Sequence, residues 1–407
     1  MKAERSYPRF TVTKKAEASL RGGHPWVYDT EITDIQGKTE NGCLVDVLSS
    51  KGTYLGTGLL SEKSKIRVRV LAANANEAFG AAFFERRLRY AVDYRREVMG
   101  SDFCCCRLVF GEADGLPGLT VDRFGSILVA QILSYGMEIR RSILFPALVR
   151  ILEEYGEKID GIYERSDVAL REREGLPQRK GWVDDMTHPD ATVTEIVENG
   201  IRYAVDFENG QKTGFFLDQK YNRRAAASLS RGRRVLDCFT HTGSFALNAA
   251  AGGAVRVDAV DISETALSAA RENAARNGCS DRIDWIHADV FDYLRALAWS
   301  HEKPYDFIIL DPPAFTKSRK TVGNAANGYR EINSLAMRIL PRGGYFATCS
   351  CSHFMRDDLF RQMLAECALK TGIKLRQIEA RGAAPDHPVL WGVPETDYLK
   401  FYLFQIE

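Results

Sequence analysis

The sequence lacks the marks of several protein classes. None of its nine cysteines forms a Cys-x-x-Cys pair, so the usual spacing of a zinc site is absent and we expect no metal. No apolar run is long enough to span a bilayer, and the first residues, MKAERSYPRF, lack the hydrophobic centre of a signal peptide. We therefore expect a cytoplasmic protein without a membrane partner, in which the cysteines stay reduced.

Neither sign of charge is in excess. The chain of 407 residues holds 55 Lys and Arg against 54 Asp and Glu, so overall charge predicts no nucleic-acid partner. Locally, the stretch KSKIRVRVL alternates cations with apolar residues, which predicts a half-buried strand with Lys65, Arg67 and Arg69 facing solvent. Two interpretations stay open for this strand, an ordinary solvated face and a ridge that contacts RNA phosphates.

The chain divides into three segments with no internal repeat or low-complexity tract. Residues 1–73 show short strands and turns, and residues 77–185 indicate a small α+β unit that begins with a helix. From 190 to 407 strands and helices alternate, which predicts an α/β domain whose mostly parallel sheet is covered on both faces.

Acidic residues follow consecutive predicted strands of this α/β domain, where parallel sheets bind their ligands. Asp237 opens the stretch DCFTHTG, in which Phe239, Thr240 and Gly243 form the turn; Asp261 and Asp289 end the next two strands. The motif GxGxxG is absent, so a dinucleotide site is weakly supported. Each aspartate alone would be a helix cap or a turn residue. Three in order favour a nucleoside cofactor, with Asp261 on the ribose hydroxyls and Asp289 on the adenine amino group.

A fourth strand ends in LDPPAF, from Leu310 to Phe315. The two prolines stiffen the loop and restrict Asp311, so an acid is held beside an aromatic surface. The loop could simply end a strand. It also suits binding of a planar base by Asp311 and Phe315.

These patterns together resemble class I S-adenosylmethionine-dependent methyltransferases. Over nearly the whole chain the sequence is similar to the bacterial large-subunit rRNA methyltransferases that make 5-methylcytosine behind an N-terminal PUA domain. The resemblance rests on the ordered motifs HPWVY, GEADGLPGLTVDRFG, YERSD, QKTGFFLDQKYNR, GYREIN, SCS and DHPV. It implies a Rossmann-like domain with a seven-stranded sheet and 23S rRNA as partner. It also implies S-adenosylmethionine as cofactor, bound by Asp237, Phe239, Thr240, Gly243, Asp261, Asp289 and Asp311. A homodimer stays among the options.

Methylation at carbon 5 of cytosine needs a reactive thiol, and the chain offers two candidates in FATCSCSHFM. On an extended strand Cys349 and Cys351 face the same way. The resemblance assigns the nucleophile to Cys351 of the SCS motif, with Asp311 as the acid near N3 and N4 of the base. Cys349 stays an alternative, because TCS resembles the motif of other RNA cytosine-5 methyltransferases.

Other positions are less sharply defined. Some related enzymes carry a second cysteine where this chain has Ala314, so product release needs another base or water. His353 is interpreted as a structural histidine. In QKTGFFLDQKYNR, Thr213, Phe215 and Asp218 close over the methionine end of the cofactor or, equally well, form a helix cap with a core phenylalanine pair.

Two other functions compete with cytosine-5 methylation. An amino-group methyltransferase would use the Asp-Pro-Pro loop and would not need Cys351. A non-catalytic RNA-binding or assembly factor would retain a degenerate cofactor pocket, although the intact aspartates weigh against it.

Overall fold

The computed structural model describes residues 6–184, 186–300, 302–315 and 322–407. The strands are β1 Arg9–Val12, β2 Trp26–Tyr28, β3 Ile32–Gln36, β4 Leu44–Leu48, β5 Tyr54–Leu60, β6 Ile66–Ala72, β7 Cys105–Phe110, β8 Leu119–Phe124, β9 Ile127–Ile132, β10 Gly161–Ser166, β11 Arg179–Trp182, β12 Val193–Glu198, β13 Ile201–Asp206, β14 Arg234–Cys238, β15 Arg256–Asp261, β16 Ile283–His287, β17 Phe307–Leu310, β18 Tyr345–Ser350, β19 Leu375–Arg381 and β20 Lys400–Ile406. The α-helices are α1 Lys14–Arg21, α2 Ala81–Met99, α3 Tyr135–Glu138, α4 Arg141–Glu154, α5 Lys220–Ser228, α6 Ser244–Ala251, α7 Glu264–Arg276, α8 Val290–Ser300, α9 Val322–Ile339 and α10 Asp357–Thr371.

The chain forms two compact units. The first contains the residues up to Ile196 together with Val205–Leu217 and Pro385–Thr396. The second contains Val197–Ala204, Asp218–Ala384 and Asp397–Glu407. The three domain boundaries expected from the sequence stay predictions.

The first unit contains two sheets. The six-stranded sheet has the order β2-β6-β5-β4-β1-β3, and its apolar residues bury a core that includes Phe10, Val27 and Val47. The five-stranded sheet has the order β11-β10-β9-β8-β7. Beside β7 lies α2, whose buried residues include Phe84 and Leu88 at the helical spacing expected from the sequence.

Helix α1 lies where the sequence predicted only strands and turns. It begins after Thr13, whose side chain accepts a hydrogen bond from the backbone N–H of Ala16 at 3.3 Å. Lys, Glu, Ala and Leu favour a helix, so the signal was present in KKAEASLR. It ends at Arg21 because Gly22 and Gly23 follow directly.

The predicted basic strand is β6, but the expectation that its three cations face solvent is wrong for Arg69. This side chain is buried and forms a bidentate ion pair with Glu174. Its Nη2 lies 2.7 Å from Oε1, and its Nη1 lies 3.3 Å from Oε2. Lys65 is exposed, and Arg67 is partly exposed and donates to the carbonyl of Glu62. Arg69 points inward because it binds Glu174, a partner so distant in sequence that the alternating pattern cannot reveal it.

The second unit contains the predicted seven-stranded sheet, with the order β16-β15-β14-β17-β18-β20-β19. Neighbouring strands are parallel from β16 to β18, whereas β20 runs antiparallel to both β18 and β19. All four residues of β17 are fully buried, as expected for a central strand covered on both faces. The fold class predicted from the sequence is confirmed.

In the part of the chain that the structure describes, no helix is both long and apolar enough to cross a membrane.

The buried pair in the first unit generates a stability prediction. Burial alone would raise the pKa of Glu174, but the charge and hydrogen bonds of Arg69 lower it overall. Arg69→Ala should therefore leave a buried carboxylate without its cation and lower the free energy of unfolding by about 3–5 kcal/mol. Lys65→Ala, on the exposed part of the same segment, should change it by about 0.5 kcal/mol or less. Urea denaturation of both variants checks this, and equal effects would contradict the assignment.

Candidate functional site

The turn after β14 is held by the buried carboxylate of Asp237. One oxygen of Asp237 accepts hydrogen bonds from the Thr240 hydroxyl at 2.5 Å and from the Ala246 backbone N–H at 2.9 Å. The other oxygen is also buried and has no hydrogen-bond partner among the described residues. Burial raises the pKa of Asp237 to about 7. An acceptor without a donor therefore lies beside the first turn of α6.

The same turn has an unusual backbone. Phe239 and His241 have φ values of 63° and 51°, a region that side chains with a Cβ seldom adopt. Gly243 has φ 81°, and a Cβ on it would lie 2.8 Å from the ring of Trp285. The turn is therefore held in a strained shape, which is common where backbone approaches a ligand.

Asp261 ends β15 and supports this turn from the neighbouring strand. Its carboxylate accepts from the backbone N–H of His241 at 2.8 Å and from that of Ser263 at 2.9 Å. The structure thus brings Asp237, Thr240, Gly243 and Asp261 to one edge of the sheet, as the sequence predicted.

Asp289 lies two residues beyond the end of β16 and is exposed. Its carboxylate accepts from the backbone N–H groups of Phe291 at 2.8 Å and Asp292 at 3.2 Å. It therefore caps the start of α8, the structural role common for an aspartate before a helix. Its contact with an adenine amino group stays a prediction.

Asp311 directly follows β17. Its carboxylate accepts a hydrogen bond from the side-chain amide of Gln219 at 2.9 Å. Burial, together with the charge of Asp218, raises the pKa of Asp311 to about 6. Asp218 is itself buried and accepts from the Tyr398 hydroxyl at 2.6 Å. Burial and the neighbouring Asp218 thus leave Asp311 partly protonated near neutral pH.

The two cysteines differ in position. Cys349 lies inside β18 and is fully buried, and burial together with the charge of Asp311 raises the pKa of its thiol well above the usual value. The expectation that the strand also contains Cys351 is wrong, because β18 ends at Ser350, which pairs with the first residue of β20. Cys351 is partly exposed, and its Sγ lies 3.8 Å from the carbonyl oxygen of Pro312, in the Asp311 loop.

Phe315 packs against the core of the second unit. Its ring centroid lies 4.7 Å from that of Tyr329 and 5.8 Å from that of Phe291. Phe239 joins the same cluster at 6.4 Å from Phe315. Phe315 is partly buried, so an aromatic surface is present beside the Asp311 loop, although only part of it faces outward.

Thr213 and Phe215 belong to the first unit, where both are buried. The Thr213 hydroxyl donates to Asp122 at 2.5 Å, so its observed contact is structural. His353 is partly buried, and its Nδ1 has no partner among the described residues. The contacts of Thr213 and Phe215 with the cofactor stay predictions.

Sequence reasoning missed two residues at this edge of the sheet. Gln219, which binds Asp311, lies in the quoted motif QKTGFFLDQKYNR but was given no role. Lys400 starts β20 as a buried cation in the apolar stretch LKFYLF. A lysine inside an otherwise apolar strand was the available signal.

Within the described residues, no group of three or more His, Cys, Asp and Glu side chains could hold a metal ion.

Comparison with known proteins places these features in a family. Residues 179–403 match the S-adenosylmethionine-dependent methyltransferase family, and residues 10–73 match the PUA-like domain. The chain is 39% identical over 402 residues to the ribosomal RNA large subunit methyltransferase I of Klebsiella pneumoniae (strain 342), covering 98% of both chains. It is 40% identical over 400 residues to the protein of the same name from Serratia proteamaculans (strain 568), covering 98% of this chain and 99% of that one.

Solved structures show the same fold. A protein from Streptococcus mutans described as an S-adenosylmethionine-dependent methyltransferase aligns with a TM-score of 0.81 at 22% identity, over 98% of this chain and 99% of that one. A second structure, of a protein described as a methyltransferase in complex with S-adenosylhomocysteine, aligns with a TM-score of 0.82 at 21% identity over the same shares.

The buried Asp237 predicts a pH-dependent affinity for S-adenosylmethionine, the cofactor of this family. The cofactor is cationic at its sulfur, so the ionised carboxylate should favour binding and protonation should oppose it. Because the pKa of Asp237 is raised to about 7, affinity should be full above pH 7 and fall as the pH drops, by about tenfold for each unit below it.

Calorimetry between pH 5.5 and pH 8.5, in steps of about one unit, measures this dependence. Asp237→Asn should bind weakly with a flatter profile, whereas Asp289→Ala should keep the profile of the unchanged protein. Equal pH profiles for the Asn variant and the unchanged protein would remove Asp237 from the binding site.

Proposed function

The chain belongs to the family of S-adenosylmethionine-dependent methyltransferases that includes ribosomal RNA large subunit methyltransferase I, and we propose that it methylates carbon 5 of a cytosine in 23S rRNA. The names of the relatives support a ribosomal RNA substrate. The choice of carbon 5 depends on one observation. A partly exposed thiol, that of Cys351, lies against the loop that carries the acid Asp311.

The contrast between the two cysteines supports Cys351 as the nucleophile. A thiolate has to reach a base that approaches from solvent. Cys349 is fully buried and its thiol has a strongly raised pKa, so ionisation there is unfavourable. Cys351 lies one residue beyond the end of β18 and is accessible.

Carbon 5 of cytosine is a poor nucleophile until a thiolate activates it. The sulfur of Cys351 would donate an electron pair to C6, forming a C–S bond as the C5–C6 double bond opens and C5 becomes electron-rich. S-adenosylmethionine would supply an electrophilic methyl group when bound, and C5 would form a bond to that carbon as the S–CH₃ bond breaks with its electrons left on sulfur. Loss of the C5 proton to a base then restores the double bond and expels the thiolate of Cys351.

Asp311 is suited to assist the attack. A carboxyl group with its pKa near 6 is present in both protonation states around neutrality. It can thus donate to N3 of the ring as charge accumulates there, or accept from the N4 amino group. Gln219 would keep the carboxyl group oriented. With Ala314 in place of a second cysteine, the base that takes the C5 proton is another group or water.

The turn after β14 fits the cofactor. The buried Asp237 oxygen without a donor requires a partner, and the strained turn from Phe239 to Gly243 leaves its backbone close to any ligand at the edge. Asp261 would bind ribose hydroxyls through acceptor capacity left beyond its two backbone contacts, and Asp289 the adenine. Asp218, Thr240 and Asp311 complete the proposed cofactor residues.

RNA binding would use the PUA-like segment at residues 10–73. With Arg69 bonded to Glu174, the proposed phosphate contacts are left to Lys65 and Arg67. Phe315 would support the flipped base. The domain limits 1–73, 77–185 and 190–407 and a cytoplasmic location are part of this proposal, and a homodimer stays an option without support.

The phosphate contacts predict a change in salt dependence. Lys65→Ala with Arg67→Ala should weaken rRNA binding and flatten the plot of log affinity against log salt by up to about 2 units, because each neutralised phosphate contributes about 0.7–0.9. Filter binding at several salt concentrations measures the slope. Cofactor affinity serves as the control and should not change. A slope equal to that of the unchanged protein would leave this strand as a solvated face.

The nucleophile predicts a trapped adduct. With 5-fluorocytosine at the target position, the fluorine cannot leave as a proton does, so the enzyme should stay covalently joined to the RNA. Denaturing gels with labelled RNA detect this species. Cys351→Ala should form neither adduct nor product while still binding S-adenosylmethionine, because the thiol contacts the base.

Cys349→Ala is the matched control and should retain the adduct, with some loss of rate from repacking of β18. An adduct lost in Cys349→Ala and kept in Cys351→Ala would exchange the two assignments. Normal methyl transfer in the double variant would exclude a thiol nucleophile and favour amino-group methylation at the Asp-Pro-Pro loop.

A further inference from the structure

Lys400 is a buried ammonium group held by neutral partners. Lys400 is 5% exposed, and its Nζ donates to the carbonyl oxygens of Ser352 at 2.7 Å and Tyr398 at 2.8 Å. A lysine ammonium has three N–H donors. Among the described residues no carboxylate lies within 4.0 Å of Nζ, and no third acceptor binds it. Burying a cation without an anion costs free energy, so a negative charge close to Nζ would be stabilised.

Lys400 contacts the residues on both sides of Cys351. In the antiparallel pairing of β18 with β20, Ser350 is the partner of Lys400. The residue before Cys351 is thus paired with the backbone of Lys400, and the residue after it accepts from the side chain. The lysine fixes both ends of the short segment that carries the thiol.

The charged groups that act on Lys400 are negative. Burial lowers the pKa of Lys400 to about 8, against the opposing charges of Asp397, Cys351 and Asp357. Asp357, at the start of α10, is engaged by the Tyr402 hydroxyl. Beside the cysteines, Asp311 and the buried Tyr329 offer no positive charge, and ionised Asp311 would disfavour a thiolate.

We propose that Lys400 is a positioning residue for the nucleophile: it holds the Ser350–Ser352 segment in place, and its ammonium charge stabilises the thiolate of Cys351. The inference deepens the proposed function and rests on it for the use of that thiolate. The electrostatic pairing itself is a property of the folded chain, and can be measured without RNA or methyl transfer.

The test is the pH dependence of Cys351 alkylation by iodoacetamide, resolved by peptide mass spectrometry. Only the thiolate reacts, so the rate reports the pKa of the thiol. Lys400→Met should raise that pKa by about one unit and slow alkylation about tenfold at pH 7, since one unit changes the thiolate fraction tenfold. Lys400→Arg, which keeps the charge, should stay close to the unchanged protein. Exposed Cys104 is the internal control and should react alike in all variants.

Lys400→Gln keeps a donor for Ser352 without the charge, and replaces the Met variant if that protein does not fold. A merely structural role would predict that Gln leaves the pKa of Cys351 unchanged, and this result would overturn the proposal. An equal shift in the Arg variant would also overturn it. If the shift is found but Cys351→Ala still methylates RNA, the pairing is supported and the proposed nucleophile is wrong.

Discussion

The pairing of β18 between β17 and β20 is the constraint on which the proposed chemistry depends. Leu310, the last residue of β17, lies opposite Thr348, so Asp311 comes level with Cys349. On the other side β20 begins at Lys400, opposite Ser350, and β18 stops there. Because a strand extends only as far as its partners, Cys351 leaves the sheet one residue later and becomes accessible beside the Asp311 loop.

Near these strand ends, residues of the same type differ in their burial and in the charges around them. Burial raises the pKa of Asp237 to about 7 and, together with the charge of Asp218, that of Asp311 to about 6; Asp237 lies near the end of β14, whereas Asp311 lies beside the thiols. Cys349 and Cys351 are two residues apart, yet only the second is both accessible and bracketed by Lys400. The ends of three different strands, β14, β17 and β18, therefore carry the residues proposed for the cofactor, the base and the nucleophile.

Much of this could be predicted from the sequence, because local patterns determine it. Strands and helices alternate with clear periodicity after residue 190, and aspartates at successive strand ends must meet at one edge of a parallel sheet. What escaped prediction depends on distant partners. The inward turn of Arg69 needs Glu174, more than a hundred residues later, and the end of β18 is set by β20. The hydrogen bond from Gln219 to Asp311 likewise spans elements that no local pattern joins.

The central claim is methylation at carbon 5 of a cytosine in large-subunit rRNA. Mass spectrometry of digested rRNA from a strain that lacks this gene, compared with its parent, measures it most directly. The account predicts the loss of one 5-methylcytosine from 23S rRNA, restored by the unchanged protein and not by Cys351→Ala. Loss of a methyl group from a nitrogen atom instead, or an unchanged set of methylated nucleosides, would contradict it.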